Sequence, residues 1–126
     1  MTGTGTIRVM LVEDHDEFRR LVAAWVNREP DMEVVAQART LEQARRFASG
    51  GCDVAVLDMG LPDGFDSDLI AGLRRLSPPP AALVLSASLD VPNLARARGA
   101  GADGILDKFA GPEEVVGAIR RLGGTA

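Results

Sequence analysis

The chain has 126 residues, the length of one compact domain, and 46% of them are hydrophobic, which is enough for a single buried core. The net charge of −4 gives no basic footprint for nucleic acid, and no apolar run is long enough to cross a membrane. The N-terminal residues lack the pattern of a signal peptide, and Cys52 is the only cysteine, so no intramolecular disulfide can form. We therefore expect one cytoplasmic domain over residues 1–126, with no contact to nucleic acid or membrane.

Short runs rich in Val, Leu and Ile recur along the chain and do not alternate with polar residues. This composition is typical of parallel strands that are covered on both faces. The runs cover residues 7–12, 32–36, 54–57, 81–85 and 105–107.

Helical patterns separate these runs. Thr40 and Gln43 have the spacing of a capping box, and Asp90 can cap a fourth helix with Pro92 in its first turn and Gly99 after its last. Strict alternation of strand and helix predicts an α/β fold, a doubly wound parallel sheet of five strands with five helices on both faces. The apolar helix faces are Phe18, Leu21, Val22 and Trp25; Ala44, Phe47 and Ala48; Leu69, Ile70, Leu73 and Leu76; and Val115, Val116, Ile119 and Leu122.

Reactive polar residues follow four of the five runs. Glu13 and Asp14 follow the first run, and Asp58 follows the third. Ser86 follows the fourth, and Lys108, the only lysine among 14 basic residues, follows the last. In an open parallel sheet, ligands bind at the carboxyl ends of the strands. We therefore expect these side chains to share one edge and to form a site.

The expected chemistry of this edge is phosphoryl transfer. Two carboxylates about 4 Å apart repel by about 4 kcal/mol at an effective dielectric constant of about 20, and Lys108 alone cannot balance three of them. Mg²⁺ suits such a site, since it binds carboxylates together with phosphate oxygens. Asp58 can act as the nucleophile and form an aspartyl-phosphate. Lys108 would neutralise the phosphoryl oxygens as a point charge, and the Ser86 hydroxyl would donate a hydrogen bond to one of them.

Several of these segments together resemble a known family. Segments 11–15, 56–64, 85–87 and 107–108 are similar to the motifs of the receiver domain of bacterial two-component response regulators. Segment 101–104 is similar to receivers of transcription-regulating members. The resemblance covers about residues 7–122 and implies a flavodoxin-like sheet with strand order 2-1-3-4-5.

The resemblance also implies roles for individual residues. Asp58 would accept a phosphoryl group from a histidine kinase or a phosphotransfer protein, and Ser86 and Lys108 would contact that group. Mg²⁺ would be bound by Asp14, by Asp58 and by the main-chain carbonyl of Gly60. Glu13 would act through a metal-bound water.

One position departs from the family pattern. Receivers usually carry Tyr or Phe three residues before the lysine, and the ring swings inward when the hydroxyl at the position of Ser86 moves. Here that switch position is Ile105, and Phe109 follows the lysine. We expect an altered readout, with output through the face of the fourth helix, fifth strand and fifth helix, including dimerisation there.

Two other classes of function stay open. An aspartate-nucleophile phosphatase or phosphotransferase would usually need a second Asp two residues after Asp58, where this chain has Gly60. A degenerate receiver would act as an unphosphorylated interaction module; Ile105 favours it, whereas the presence of Asp14, Asp58 and Lys108 opposes it.

Simpler structural roles are expected for several polar and aromatic residues. Glu13 and Asp14 also suit the N-terminus of the first helix. His15 is expected in the first turn of that helix without a function, and Trp25 in the core. Solvated helix faces are expected for the arginine pairs at 19–20, 45–46, 74–75 and 120–121.

Overall fold

The computed structural model describes residues 5–48, 50–64, 67–76 and 78–124, and within them five strands and five helices alternate. The strands form one parallel sheet in the order β2-β1-β3-β4-β5, which confirms the predicted fold and strand order. The elements are β1 (Ile7–Val12), α1 (Asp16–Asn27), β2 (Met32–Ala38), α2 (Leu41–Ala48), β3 (Val54–Asp58), α3 (Ser67–Arg74), β4 (Ala81–Ser86), α4 (Val91–Ala100), β5 (Gly104–Asp107) and α5 (Pro112–Gly123).

Two hydrophobic layers cover the faces of the sheet. Successive side chains of a strand point to opposite faces. In β1, Val9 and Leu11 therefore pack with α1 and α5, whereas Met10 and Val12 pack with α2, α3 and α4. Burial on both sides explains why the strands read as unbroken apolar runs. Among the described helices, none is both long and apolar enough to span a bilayer.

The predicted helix faces need correction in α2, where Phe47 is 43% exposed, and in α1. Helix α1 buries Val22, Ala23 and Val26 against the sheet, while Leu21 is 48% exposed. Trp25 is half-buried and packs against the core from its edge. The side chains four residues apart, Val22 and Val26, define the stripe that meets the sheet, and Leu21 lies to one side of it.

Helix and strand ends are partly as predicted. Half of the predicted capping box is present, because Thr40 Oγ1 accepts a hydrogen bond from the Gln43 N–H at 3.1 Å. Gln43 Oε1 accepts from the Arg39 N–H at 2.7 Å instead of the Thr40 N–H, so the reciprocal bond of the box is not formed. Asp90 caps α4 as expected, by accepting from the Asn93 N–H at 2.9 Å. β2 runs two residues beyond its predicted end at residue 36, because it keeps pairing with β1 as far as Ala38.

The predicted end of α4 at Gly99 is wrong. The helix continues to Ala100, and Gly101 forms its C-cap with φ of 97°. This left-handed conformation favours glycine and lets the Gly101 N–H donate to main-chain carbonyls of the last turn. Arg74 at the end of α3 donates hydrogen bonds to the Gly101 carbonyl and to the Asp103 carboxylate, which joins the two helix ends.

Gly101→Ala is expected to destabilise the protein by about 1–3 kcal/mol, because alanine is strained at this φ. Its Cβ would also lie 3.0 Å from Arg74 Nε. Gly99→Ala is the control, since no atom lies within 4 Å of its Cβ position and alanine favours the helix by up to about 1 kcal/mol. Urea unfolding of both variants measures the effects, and equal stability of the two would contradict the assignment of the cap.

Candidate functional site

The sheet brings the five predicted site residues to one edge. Asp58 and Ser86 are the last residues of β3 and β4, which are neighbours in the sheet. Glu13 and Asp14 directly follow β1 on the other side of β3. Lys108 directly follows β5, and its N–H donates to the Ser86 carbonyl at 2.8 Å. The placement follows from the parallel order of the strands, whose carboxyl ends all point the same way.

Three carboxylates crowd together at this edge. Glu13, Asp14 and Asp58 each offer an oxygen atom within 4.8 Å of the others; Glu13 and Asp58 are buried and Asp14 is half-buried. Burial raises the pKa of Glu13, and the negative charge of Asp58 adds to the rise. Contacts with the His15 N–H and with Lys108 lower this pKa only in part. The edge therefore carries repulsion that it does not fully relieve.

Lys108 is the cation that faces this cluster. Its Nζ lies 3.0 Å from Glu13 Oε1, 3.2 Å from Asp58 Oδ2 and 5.2 Å from the centre of the Phe18 ring. Burial alone would lower the pKa of Lys108, but its contact with Glu13 and the charges of both carboxylates raise the pKa above its usual value. The ammonium therefore stays protonated at neutral pH and partly compensates two of the three carboxylates.

One carboxylate oxygen keeps an unused hydrogen-bonding capacity. Glu13 Oε1 is buried, and no donor among the described residues is well aligned for a hydrogen bond with it; the group in contact with it is the Lys108 ammonium at 3.0 Å. The other oxygen, Oε2, accepts from the His15 N–H at 2.9 Å. Buried polar atoms normally have partners, so Oε1 has room to accept from a water or to face a cation.

Asp58 and Ser86 differ in how their side chains are held. Asp58 Oδ1 accepts from the Gly60 N–H at 3.1 Å, while Oδ2 faces Lys108. The buried Ser86 hydroxyl donates to the Ser88 carbonyl at 2.6 Å and also accepts from the Ser88 N–H at 3.2 Å. The Ser86 hydroxyl therefore serves the turn after β4 and would have to change partners to contact a ligand.

An open cleft of about 460 Å³ lies over the cluster. This volume is in the range of small-molecule sites. One wall is formed by the strand ends and the loops after them, and the other by residues of α4. The lining includes Asp14, Asp58, Gly60, Ser86 and Lys108 on the strand side, and Asn93 and Arg96 on α4.

The structure corrects two of the simpler expectations. His15 is not in the first turn of α1 but is its N-cap, where Nδ1 accepts from the Phe18 N–H at 3.2 Å. Glu13 and Asp14 therefore do not cap this helix. The histidine takes this position because its extended backbone directs the ring nitrogen towards the free N–H groups of the first turn.

Arg19 is also not on a solvated face. Its side chain is only 11% exposed and donates to the Glu13 main-chain carbonyl, to Asp16 and to Gln37. The sequence offers no signal for this role, because the partners come from three different elements. Asp63 also has a structural role that the sequence does not indicate. Its carboxylate accepts hydrogen bonds from the N–H groups of Leu41 and Glu42 at the start of α2.

Comparison with known proteins agrees with the fold. The family model of the response regulator receiver domain matches residues 9–120. The chain therefore belongs to this family. The chain is 31% identical over 118 residues to the DNA-binding transcriptional activator DevR/DosR of Mycobacterium tuberculosis, covering 93% of this chain and 54% of that protein.

Two further similarities point the same way. The chain is 34% identical over 120 residues to the transcriptional regulatory protein UhpA of Salmonella typhimurium, covering 92% of this chain and 58% of UhpA. The receiver domain of NarL from Mycobacterium tuberculosis superimposes with a TM-score of 0.85 at 27% identity, covering 93% of this chain and 95% of that one. The chain thus spans little more than half the length of these two regulators.

Asp14→Asn is expected to stabilise the protein by about 1 kcal/mol at neutral pH in EDTA. The substitution removes one charge from the cluster, and in the described structure the Asp14 carboxylate has no hydrogen bond to lose. This gain in stability should shrink as the pH falls. The pKa of Glu13 is raised, so Glu13 becomes protonated at a higher pH than an ordinary glutamate, and the repulsion that the substitution relieves is then weaker. Urea unfolding across pH measures both effects.

Asp16→Asn is the matched control for this substitution. Asp16 lies two residues further on but is paired with Arg19 at 2.7 Å, so removal of its charge should lower stability. A loss of stability in Asp14→Asn comparable to that in Asp16→Asn would show that the carboxylates of the cluster do not repel.

Proposed function

We propose that this receiver domain accepts a phosphoryl group on Asp58 from a histidine kinase or a phosphotransfer protein. The observation that carries the proposal is the setting of Asp58: a buried carboxylate at a strand end, 3.2 Å from the Lys108 ammonium and open to the cleft. A carboxylate fixed in this way is oriented for attack on phosphorus, and phosphoryl transfer depends mainly on positioning and charge neutralisation. The membership in the receiver family supports the same role.

Two neighbouring side chains, Lys108 and Ser86, would stabilise the phosphorylated Asp58. Oδ2 of Asp58 is next to Lys108, so an added phosphoryl group would bring its negative charge close to the ammonium. The Ser86 hydroxyl would leave the Ser88 carbonyl and donate to a phosphoryl oxygen instead. This exchange would carry the chemical event into the loop before α4.

The residues present also fit Mg²⁺ as a cofactor. The donors are carboxylate oxygens, which suit a hard cation, and one buried oxygen of Glu13 lacks a hydrogen-bond partner among the described residues. Asp14, Asp58 and the main-chain carbonyl of Gly60 would hold the ion, with Glu13 acting through a water. Bound Mg²⁺ would neutralise negative charge on the phosphoryl group and on the carboxylates.

The alternative functions receive less support. An aspartate-nucleophile phosphatase or phosphotransferase would need a proton donor where Gly60 lies, and only its N–H faces Asp58 there. A degenerate receiver would not need Asp14, Asp58 and Lys108 at the same edge. We therefore infer a phosphoacceptor and not an enzyme.

The proposed setting is that of a cytoplasmic signalling protein. The regulators DevR/DosR and UhpA are longer than this chain. We therefore propose that the receiver acts on an output domain or on a separate output protein. The surface formed by α4, β5 and α5 is proposed to contact it or to form a dimer, without direct binding of nucleic acid or membrane by the receiver. Val91 of α4 and Phe109 after β5 are 78% and 77% exposed, which supports a protein contact near this surface.

Incubation with acetyl phosphate and Mg²⁺ is expected to add one phosphoryl group, and Asp58→Asn should abolish the addition. EDTA should prevent it as well. Mass spectrometry of the intact protein measures the product. Asp53→Asn is the control, because Asp53 lies just before the opposite end of the same strand and should leave labelling intact. Undiminished labelling of Asp58→Asn would disprove the assignment.

The switch position, Ile105, is expected to stay in place on phosphorylation. Ile105 is half-buried, packs against the core layer that includes α4, and cannot swing as a ring would. We expect beryllofluoride to move the Ser86–Ser88 turn and the start of α4, while Ile105 keeps its rotamer. Crystal structures with and without beryllofluoride test this. Ile105→Tyr should alter partner binding with nearly unchanged labelling of Asp58, and a static turn beside a large rotamer change at Ile105 would contradict the proposed switch.

A further inference from the structure

We infer that Arg19 is a positioning residue that holds Asp14 ready for the metal ion. The inference rests on the proposed function, since it assigns a task to Arg19 within the same site. Arg19 lies on α1, and its hydrogen bonds go to Glu13, Asp16 and Gln37 rather than to Asp14 or Asp58. It acts through the main chain of the loop between β1 and α1.

The contacts of Arg19 join three parts of the structure. Nη1 donates to the Glu13 main-chain carbonyl at 3.1 Å and to Asp16 Oδ1 at 2.7 Å. Nε donates to Gln37 Oε1 of β2 at 3.1 Å. The Arg19 side chain is only 11% exposed, although its acceptors Asp16 and Gln37 are accessible to solvent. The guanidinium therefore fixes the loop against the neighbouring strand.

The hydrogen bond to the Glu13 carbonyl is the one that matters for Asp14. This carbonyl belongs to the peptide unit that precedes the Asp14 Cα, so fixing it fixes the direction in which Asp14 leaves the loop. The Glu13 N–H on the same residue donates to the Ala38 carbonyl at 2.8 Å, and the His15 N–H donates to the Glu13 carboxylate. The backbone is thus held on both sides of Asp14, whose own carboxylate stays available for a ligand.

The charge of Arg19 is placed so that it does not compete with a metal ion. Its carboxylate partner is Asp16, outside the cluster of Glu13, Asp14 and Asp58. Lys108, in contrast, contacts two carboxylates of that cluster, those of Glu13 and Asp58. Arg19 can therefore order the acidic loop without occupying its metal-binding oxygens.

Lysine would not be an adequate replacement. The planar guanidinium reaches three acceptors in fixed directions, whereas an ammonium is a single point of charge on a flexible stem. At Arg19 the acceptors are a carbonyl, a carboxylate and an amide oxygen on separate segments. An ammonium at this position would satisfy the carboxylate and release at least one of the other two.

The test compares Arg19→Gln with Arg20→Gln, which makes the same change of charge at the adjacent, exposed position. Calorimetric titration with Mg²⁺ alone should show about tenfold weaker binding in Arg19→Gln, as is typical when support of a metal ligand is lost. Arg20→Gln should stay close to the wild type. At saturating Mg²⁺, labelling of Arg19→Gln by acetyl phosphate should approach the wild-type rate, because only the metal affinity is impaired.

Three outcomes would overturn the inference. A lower melting temperature of Arg19→Gln with unchanged Mg²⁺ affinity would show a purely structural role, and equal losses of affinity in both variants would show a general effect of charge. Wild-type affinity in Arg19→Lys would show that charge alone suffices. If Arg19→Gln does not fold, Arg19→Lys and Gln37→Ala decide, and both are expected to weaken Mg²⁺ binding. Absence of labelling in the wild type would refute the proposed function separately, since Mg²⁺ affinity is measured without phosphorylation.

Discussion

An excess of negative charge at one edge of the sheet is the constraint on which the rest of this receiver depends. Parallel strands end side by side, and this brings Glu13, Asp14 and Asp58 within 4.8 Å of one another. In the described structure one ammonium, that of Lys108, contacts two of them. Water screens the repulsion poorly where side chains are buried. The fold must therefore hold these carboxylates against a force that tends to separate them.

The fold meets this constraint with main-chain groups and with two hydrophobic layers. The N–H groups of His15 and Gly60 donate to the carboxylates of Glu13 and Asp58, so the oxygens are directed without being neutralised. The apolar strands below the edge are packed from both faces and give the loops a rigid base. Functional proteins commonly have a destabilising binding site whose cost in stability is offset by a well-packed core.

A continuous set of hydrogen bonds links the site to α4. The Ser86 hydroxyl is bonded to the Ser88 carbonyl, which also accepts from the Asn93 side chain at 2.9 Å. The Ser88 hydroxyl in turn donates to Asp90, the N-cap of the helix. Loss of the first bond would therefore be felt at the start of α4. The side chain of Ile105, on β5, has no polar group and cannot join this network.

The sequence alone was sufficient for the order of elements, the parallel sheet and the residues expected at its edge. Each of these depends on local patterns: unbroken apolar runs predict buried strands, and reactive groups at the ends of such runs meet wherever the strands are parallel. The unique lysine, Lys108, could be assigned to the edge for the same reason. The capping residues Thr40 and Asp90 were also predictable, because each bonds to a main-chain N–H three residues away.

Only the tertiary structure decided the roles that depend on distant partners. Arg19 was expected in solvent, yet its side chain is only 11% exposed, because acceptors from the end of β1, from α1 and from β2 converge on it. Asp63 caps α2 across 22 residues of chain, which no local pattern can indicate. The Ser86 hydroxyl could be placed at the edge from its position, but its present partner, the Ser88 carbonyl, depends on the path of the loop. Local periodicity determines which residues reach the edge, whereas the packing of separate elements determines what each of them contacts there.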